Sequence, residues 1–126
     1  MALLFDYPPP EKEYILIDDE VLVHKLWHLY AKRQNIGVNS FYSIEEFFAS
    51  DISIFPLKTP LYLDFNFRDK DGQDPLVLAL DNVSRLKTHG FEHIRLFSGQ
   101  FKFDQEVQKK LYEENISFYT EKRPPY

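Results

Sequence analysis

Short apolar runs alternate with longer stretches of helical spacing along this chain, and that alternation limits the folds open to it. "YILIDDE" (14–20) begins with four strand-forming residues and leads into "VLVHKLWHLYAKRQNIG" (21–37), which has no proline and ends on Gly37, a helix stop. Val23, Leu26, Trp27 and Tyr30 fall at helical spacing and form its expected buried stripe. "VNSFYS" reads as a short strand, and "SIEEFFAS" opens with Ser43 and Glu46 in a capping-box pattern. "TPLYLDFNF" is a second core strand. Asp74 and Pro75 stand where an N-cap and a first helical residue belong, ahead of "LVLALDNVSRLKTHG". "FEHIRLFSG" reads as a strand and "ISFYTEK" as the last one. Between them "KFDQEVQKKLYEEN" reads as a helix with Val107, Leu111 and Phe103 inward. Prolines at 8–10 and 124–125 mark stiff, extended ends.

Such alternation implies an α/β fold: a parallel sheet with helices on both faces, joined by right-handed crossovers. Ligands of open sheets of this kind sit at the carboxyl ends of the strands. The first strand ends in Asp18, Asp19 and Glu20, the third in Asp64, the fourth in Ser98 and the fifth near Lys122, so these residues are expected at one edge. A length of 126 residues suits one domain, divided as an extended segment over 1–13 and the folded unit over 14–126. The net charge of −5 argues against binding nucleic acid, which needs a basic face. With no cysteine, thiol catalysis, disulfides and Cys-ligated zinc are excluded. No apolar stretch approaches a membrane span and "MALLFDYPPP" lacks the features of a signal peptide, so a soluble, cytoplasmic chain is expected.

Three carboxylates in a row at the end of a core strand need a counter-charge or a proton. Carboxylate, carbonyl and water oxygens suit Mg2+. A lysine and a hydroxyl beside them complete a site for a tetrahedral anion. An Asp carboxylate can itself take a phosphoryl group as an acyl phosphate.

With these residues in place, the sequence resembles the receiver domain of bacterial response regulators over nearly its whole length, from "YILIDDE" to "EKRPP". Asp18 and Asp19 match the family's acidic pair, and Asp64 matches the phosphoacceptor, 45 residues beyond Asp19 (64 − 19). Asp64 and Gly72 match an Asp followed eight residues later by Gly in the loop "DFNFRDKDG". Asn66 falls where the metal-ligating carbonyl lies, Ser98 matches the switch Ser/Thr, Lys122 the lysine and Tyr119 the aromatic switch. The resemblance implies a flavodoxin-like five-stranded sheet of order 2-1-3-4-5. It also implies phosphoryl transfer from a histidine kinase or phosphotransfer protein to Asp64 in a two-component phosphorelay. Asp19, Asp64 and the Asn66 carbonyl would hold Mg2+ directly and Asp18 through water. Ser98 and Lys122 would bind the phosphoryl oxygens, and Tyr119 would shift a two-state surface. The chain would then be a signalling module that assists only its own phosphorylation and dephosphorylation. "YPPPE" and "VHKLW" are similar to receivers attached to hybrid sensor kinases.

The sequence also departs from the family. Arg68 stands where receivers carry proline, and the proline after the lysine comes one place late, in "KRP". Too few residues follow Lys122 for the family's fifth helix. The face beside the first helix is therefore expected to be bare, covered by "MALLFDY", by a second copy or by a kinase domain. These departures keep open a pseudo-receiver that works as an interaction module without phosphorylation. A magnesium-dependent phosphohydrolase is disfavoured, because Asn66 stands where a second acid is needed. Asp18 and Asp19 also have a plainer reading as a helix cap, and Asp69, Asp71 and Asp74 as a solvated loop. The pairs His24/His28 and His89/His93 have zinc-like spacing, but packing is the default reading for them.

Overall fold

The computed structural model describes residues 11–65, 74–98 and 105–126. Phe103 and the segment 1–10 lie outside them. The elements run in chain order β1 (Glu13–Ile17), α1 (Val21–Gln34), β2 (Gly37–Phe41), α2 (Ile44–Ala49), a 3-10 turn (Ile52–Ile54), β3 (Leu61–Asp64), α3 (Pro75–Thr88), β4 (Ile94–Phe97), α4 (Gln105–Glu113) and β5 (Ser117–Tyr119). The five strands form one sheet of order β2-β1-β3-β4-β5. All pairs are parallel, with Ile17 opposite Leu63, Asp64 opposite Phe97 and Phe97 opposite Tyr119. Strand alternation separates two cores of different character. On one side Ile15, Ile17, Leu61, Leu63, Ile94 and Leu96 meet α2, α3 and α4 through Phe47, Val83, Leu86 and Leu111. On the other side Tyr14, Leu16, Tyr62, Phe97 and Tyr119 meet Val23 and Trp27 of α1.

The local signals at two helix starts act as the sequence suggests. The Ser43 side chain accepts from the Glu46 amide at 3.0 Å, and Asp74 accepts from the Leu76 amide at 2.9 Å, with Pro75 as the first helical residue. The end of α1 differs from expectation. Asn35, at φ 58°, forms its left-handed C-cap and donates to the Ala31 carbonyl, while Gly37 already belongs to β2. Asn is one of the few residues besides Gly that adopt this conformation, so the helix stops two residues earlier than Gly37 (37 − 35).

The buried stripe of α1 is also rotated from the expected one, with His24 and Ala31 in place of Leu26 and Tyr30. Val23, His24, Trp27 and Ala31 are buried, whereas Leu26 and Tyr30 are each 38% exposed. Trp27 spans the aromatic face of the sheet, so its flanking turns need only Val23 and Ala31 as seam residues. Leu26 and Tyr30 then fall on the margin.

The expected bare face beside α1 is not bare. Residues 120–126 are non-helical and run back along it, burying Pro124 and Pro125. The Tyr126 ring packs 5.1 Å from Tyr14 and 5.7 Å from Trp27, edge to face on the latter. Its hydroxyl donates to the Trp27 carbonyl at 2.6 Å. An extended, proline-stiffened segment with one large ring thus covers the gap.

Replacing Tyr126 with Phe should cost about 1 kcal/mol, the net value of one hydrogen bond, and replacing it with Ala about 3 kcal/mol, for the lost ring. Urea unfolding of the three proteins measures both. Coincident midpoints would mean that the tail does not hold this face.

Candidate functional site

Four strands deliver polar residues to one edge of the sheet. Asp18 follows β1 and is fully buried; its amide donates to the Phe41 carbonyl, which locks it against β2. Asp64 closes β3 and is 2% exposed. Ser98 follows β4, is buried, and donates its amide to the Tyr119 carbonyl at 3.1 Å. Lys122 arrives just beyond β5.

The Lys122 ammonium joins these groups. It lies 2.9 Å from Asp18 Oδ2, 2.7 Å from Glu20 Oε1 and 3.2 Å from Asp64 Oδ1. Burial works against its charge, but the carboxylates of Glu20, Asp64 and Asp18 outweigh that and hold it well above the ordinary lysine range. At Asp18 the balance runs the other way. Burial pushes its carboxyl above the usual range even though the Glu20 amide and Lys122 oppose the shift. A fully enclosed carboxylate loses more hydration than one ammonium and one amide return.

The backbone around the acids is fixed locally. Asp18 Oδ1 accepts from the Glu20 amide at 2.7 Å. The position before α1 is Glu20, and its side chain caps no amide. The helix-cap reading of Asp18 and Asp19 is therefore not what the structure shows. His24 pairs its Nε2 with the Asp18 carbonyl at 2.6 Å and stacks on Tyr42 with centroids 4.0 Å apart. His28 pairs with Ser40 Oγ at 2.8 Å, and His89 packs on Phe48. These histidines serve packing and local hydrogen bonding.

The lysine is positioned from behind as well. The Trp27 indole donates to the Lys122 carbonyl at 3.1 Å, while Trp27's own carbonyl accepts from Tyr126. Tyr119 is buried against Tyr62 with centroids 5.8 Å apart and hydrogen-bonds its hydroxyl, and Arg95 donates to the Tyr62 hydroxyl at 3.1 Å. Burial pushes both phenols up.

Carboxylate oxygens of Asp18, Asp19 and Glu20 lie within 4.8 Å of one another. They are hard, anionic donors of the kind that hold Mg2+, and Asp18 Oδ2 is buried with only the Lys122 ammonium, at 2.9 Å, facing it, so the chemistry of the set fits such an ion. Asn66, Arg68 and Gly72 lie outside the described residues, as do Asp69 and Asp71.

The structure thus brings Asp18, Asp64 and Lys122 into direct contact, and sets Asp19, Ser98 and Tyr119 on the same edge. Sequence reasoning missed Glu20 as a partner of Lys122, His24 as a brace for Asp18, and Trp27 and Tyr126 as supports of the lysine. Glu20 had a signal, its place in the acidic triplet. Tyr126 had none, because an isolated aromatic after two prolines carries no periodicity.

Replacing Lys122 with Met should destabilise the fold by about 3 kcal/mol at pH 7, because two buried carboxylates lose their cation. Asp18 titrates above the ordinary carboxyl range, so a falling pH neutralises it in the folded state first and relieves this penalty. The gap in urea midpoint between parent and variant should narrow from pH 7 towards pH 5. A gap that widens would contradict this charge balance.

No protein-family model and no curated protein sequence matches the chain. Solved structures do. A response regulator receiver protein from Pseudoalteromonas atlantica superposes with TM-score 0.61 at 15% identity, covering 86% of this chain and 83% of that one. NtrX from Brucella abortus gives 0.59 at 16% identity, covering 86% of this chain and 22% of NtrX. FixJ-N gives 0.54 at 18% identity, with 90% and 82% covered. With its all-parallel sheet of order 2-1-3-4-5 and four α-helices among the described residues, the chain has the flavodoxin-like fold of response-regulator receiver domains.

Proposed function

We propose that this chain is a phosphoacceptor receiver of a two-component system, taking a phosphoryl group from a histidine kinase or phosphotransfer protein onto Asp64. The observation that carries this reading is the buried Asp64 carboxylate at a strand's carboxyl end, 3.2 Å from the Lys122 ammonium and beside the Asp18–Glu20 acids. An Asp64 oxygen attacks phosphorus, the P–N bond of phosphohistidine breaks, and its electron pair stays on the imidazole. Lys122 and the Ser98 hydroxyl bind the phosphoryl oxygens. Asp18, Asp19 and Asp64 would hold Mg2+, which when bound offsets charge between the attacking carboxylate and the phosphoryl oxygens. The Ser98 amide donates to the Tyr119 carbonyl, so the main chains of the two proposed switch residues are neighbours, which supports a coupling between them. Val21, Leu22, Leu26 and Leu29 are exposed on α1, close to the acids in sequence, and offer a phosphodonor protein an apolar resting place. No described helix is long and apolar enough to cross a membrane.

Acetyl phosphate with Mg2+ should add one phosphoryl group to the intact protein, read by mass spectrometry, and Asp64→Asn should abolish it. Absence of any adduct on the parent would favour the pseudo-receiver, an interaction module without the chemistry. An adduct surviving Asp64→Asn would place the nucleophile elsewhere.

A further inference from the structure

The Lys122 ammonium has three protons and three carboxylate oxygens within 3.2 Å, those of Asp18, Glu20 and Asp64. A phosphoryl oxygen can reach this lysine only if one of the three lets go. Asp18 cannot move: its side chain is 0% exposed, and it is tied by the Glu20 amide and braced through its carbonyl by His24. Asp64 is 1% exposed and, as the acceptor, must stay. Glu20 differs from both. Its backbone is pinned, with the amide on Asp18 and the carbonyl accepting from Val23 and His24, but its side chain is 54% exposed and forms the shortest contact to the lysine. It is the one of the three free to swing into water.

We infer that Glu20 is a gating residue of the phosphoryl site: its carboxylate stands in for a phosphoryl oxygen on Lys122 and must be displaced before an anion can bind there. This rests on the phosphoacceptor reading of Asp64 and deepens it. A gate of this kind slows uptake from small phosphodonors, because the incoming anion competes with a tethered one. It also favours donors whose own protein surface can draw Glu20 away. The role depends on reach as well as charge. An aspartate at position 20 keeps the charge but is one methylene too short to hold the 2.7 Å contact.

The test compares the parent, Glu20→Gln and Glu20→Asp. In one arm, without metal or phosphodonor, acetic anhydride labels amines and peptide mass spectrometry reads Lys122, with the exposed Lys58 as internal reference. Labelling of Lys122 should be about five-fold faster in both variants, the scale of one partly exposed ion pair. In the other arm, acetyl phosphate and Mg2+ are supplied. The phosphorus–oxygen bond to acetate breaks, acetate leaves with the electron pair, and the new bond forms to Asp64. Its rate should rise by a similar factor in both variants. Unchanged Lys122 labelling overturns the gate whatever Asp64 does. A Glu20→Asp protein that matches the parent also overturns it, since charge alone would then suffice. Faster labelling with equal phosphorylation rates in all three proteins removes the gating role. Faster labelling with no adduct in any of the three overturns the phosphoacceptor reading instead and leaves Glu20 as the group that masks the lysine.

Discussion

One ammonium group organises this edge of the molecule. Asp18 and Asp64 end neighbouring strands, and both are buried. Two carboxylates enclosed side by side repel and lose their hydration, so the edge needs a cation. Lys122 supplies it from beyond β5, the far strand of the sheet, and thereby ties β1, β3 and β5 together at their carboxyl ends. The lysine in turn needs its backbone held, and the Trp27 indole does that from the opposite side. Trp27 is locked by Tyr126. The polar edge and the aromatic face are therefore one mechanical unit, joined through a single residue.

That unit bears on how a receiver-like site can work with a non-helical covering beside α1. A helix there would bury its face through several turns. Here two prolines and one tyrosine cover the same region, and their anchor points are the carbonyl of Trp27 and the rings of Trp27 and Tyr14. The covering is small, but it grips the residue that positions the lysine. Under the proposed function, changes at the phosphoryl site would be felt first in this tail and in Tyr119, both of which lie on the aromatic core.

Much of the architecture was legible in the chain because strand and helix periodicities leave different marks. "YILI" and "LYLD" mark two of the three interior strands, and the caps at Ser43 and Asp74 are local chemistry that acts where it is written. The gathering of Asp18, Asp64 and Lys122 followed from one rule about strand ends. What escaped the sequence was tertiary. Whether Leu26 or Ala31 faces the sheet depends on the size of Trp27 and the aromatics beneath it. Whether Asn35 or Gly37 stops the helix depends on where β2 begins to pair. His24 turns inward because the Asp18 carbonyl offers it a partner, and no spacing of histidines announces that. Coverage by the tail could not be read from "RPPY", since non-periodic contacts leave no pattern.

Trp27 is the chain's single tryptophan, fully buried, with its indole N–H committed to the carbonyl of Lys122. The protein's ultraviolet emission above the tyrosine band thus comes from one ring whose polar atom touches the backbone of the site lysine. Any rearrangement that lifts that carbonyl changes the indole's hydrogen bonding and surroundings together, and shifts the emission without an added dye. The molecule carries an intrinsic optical probe at the joint between its charged edge and its aromatic core.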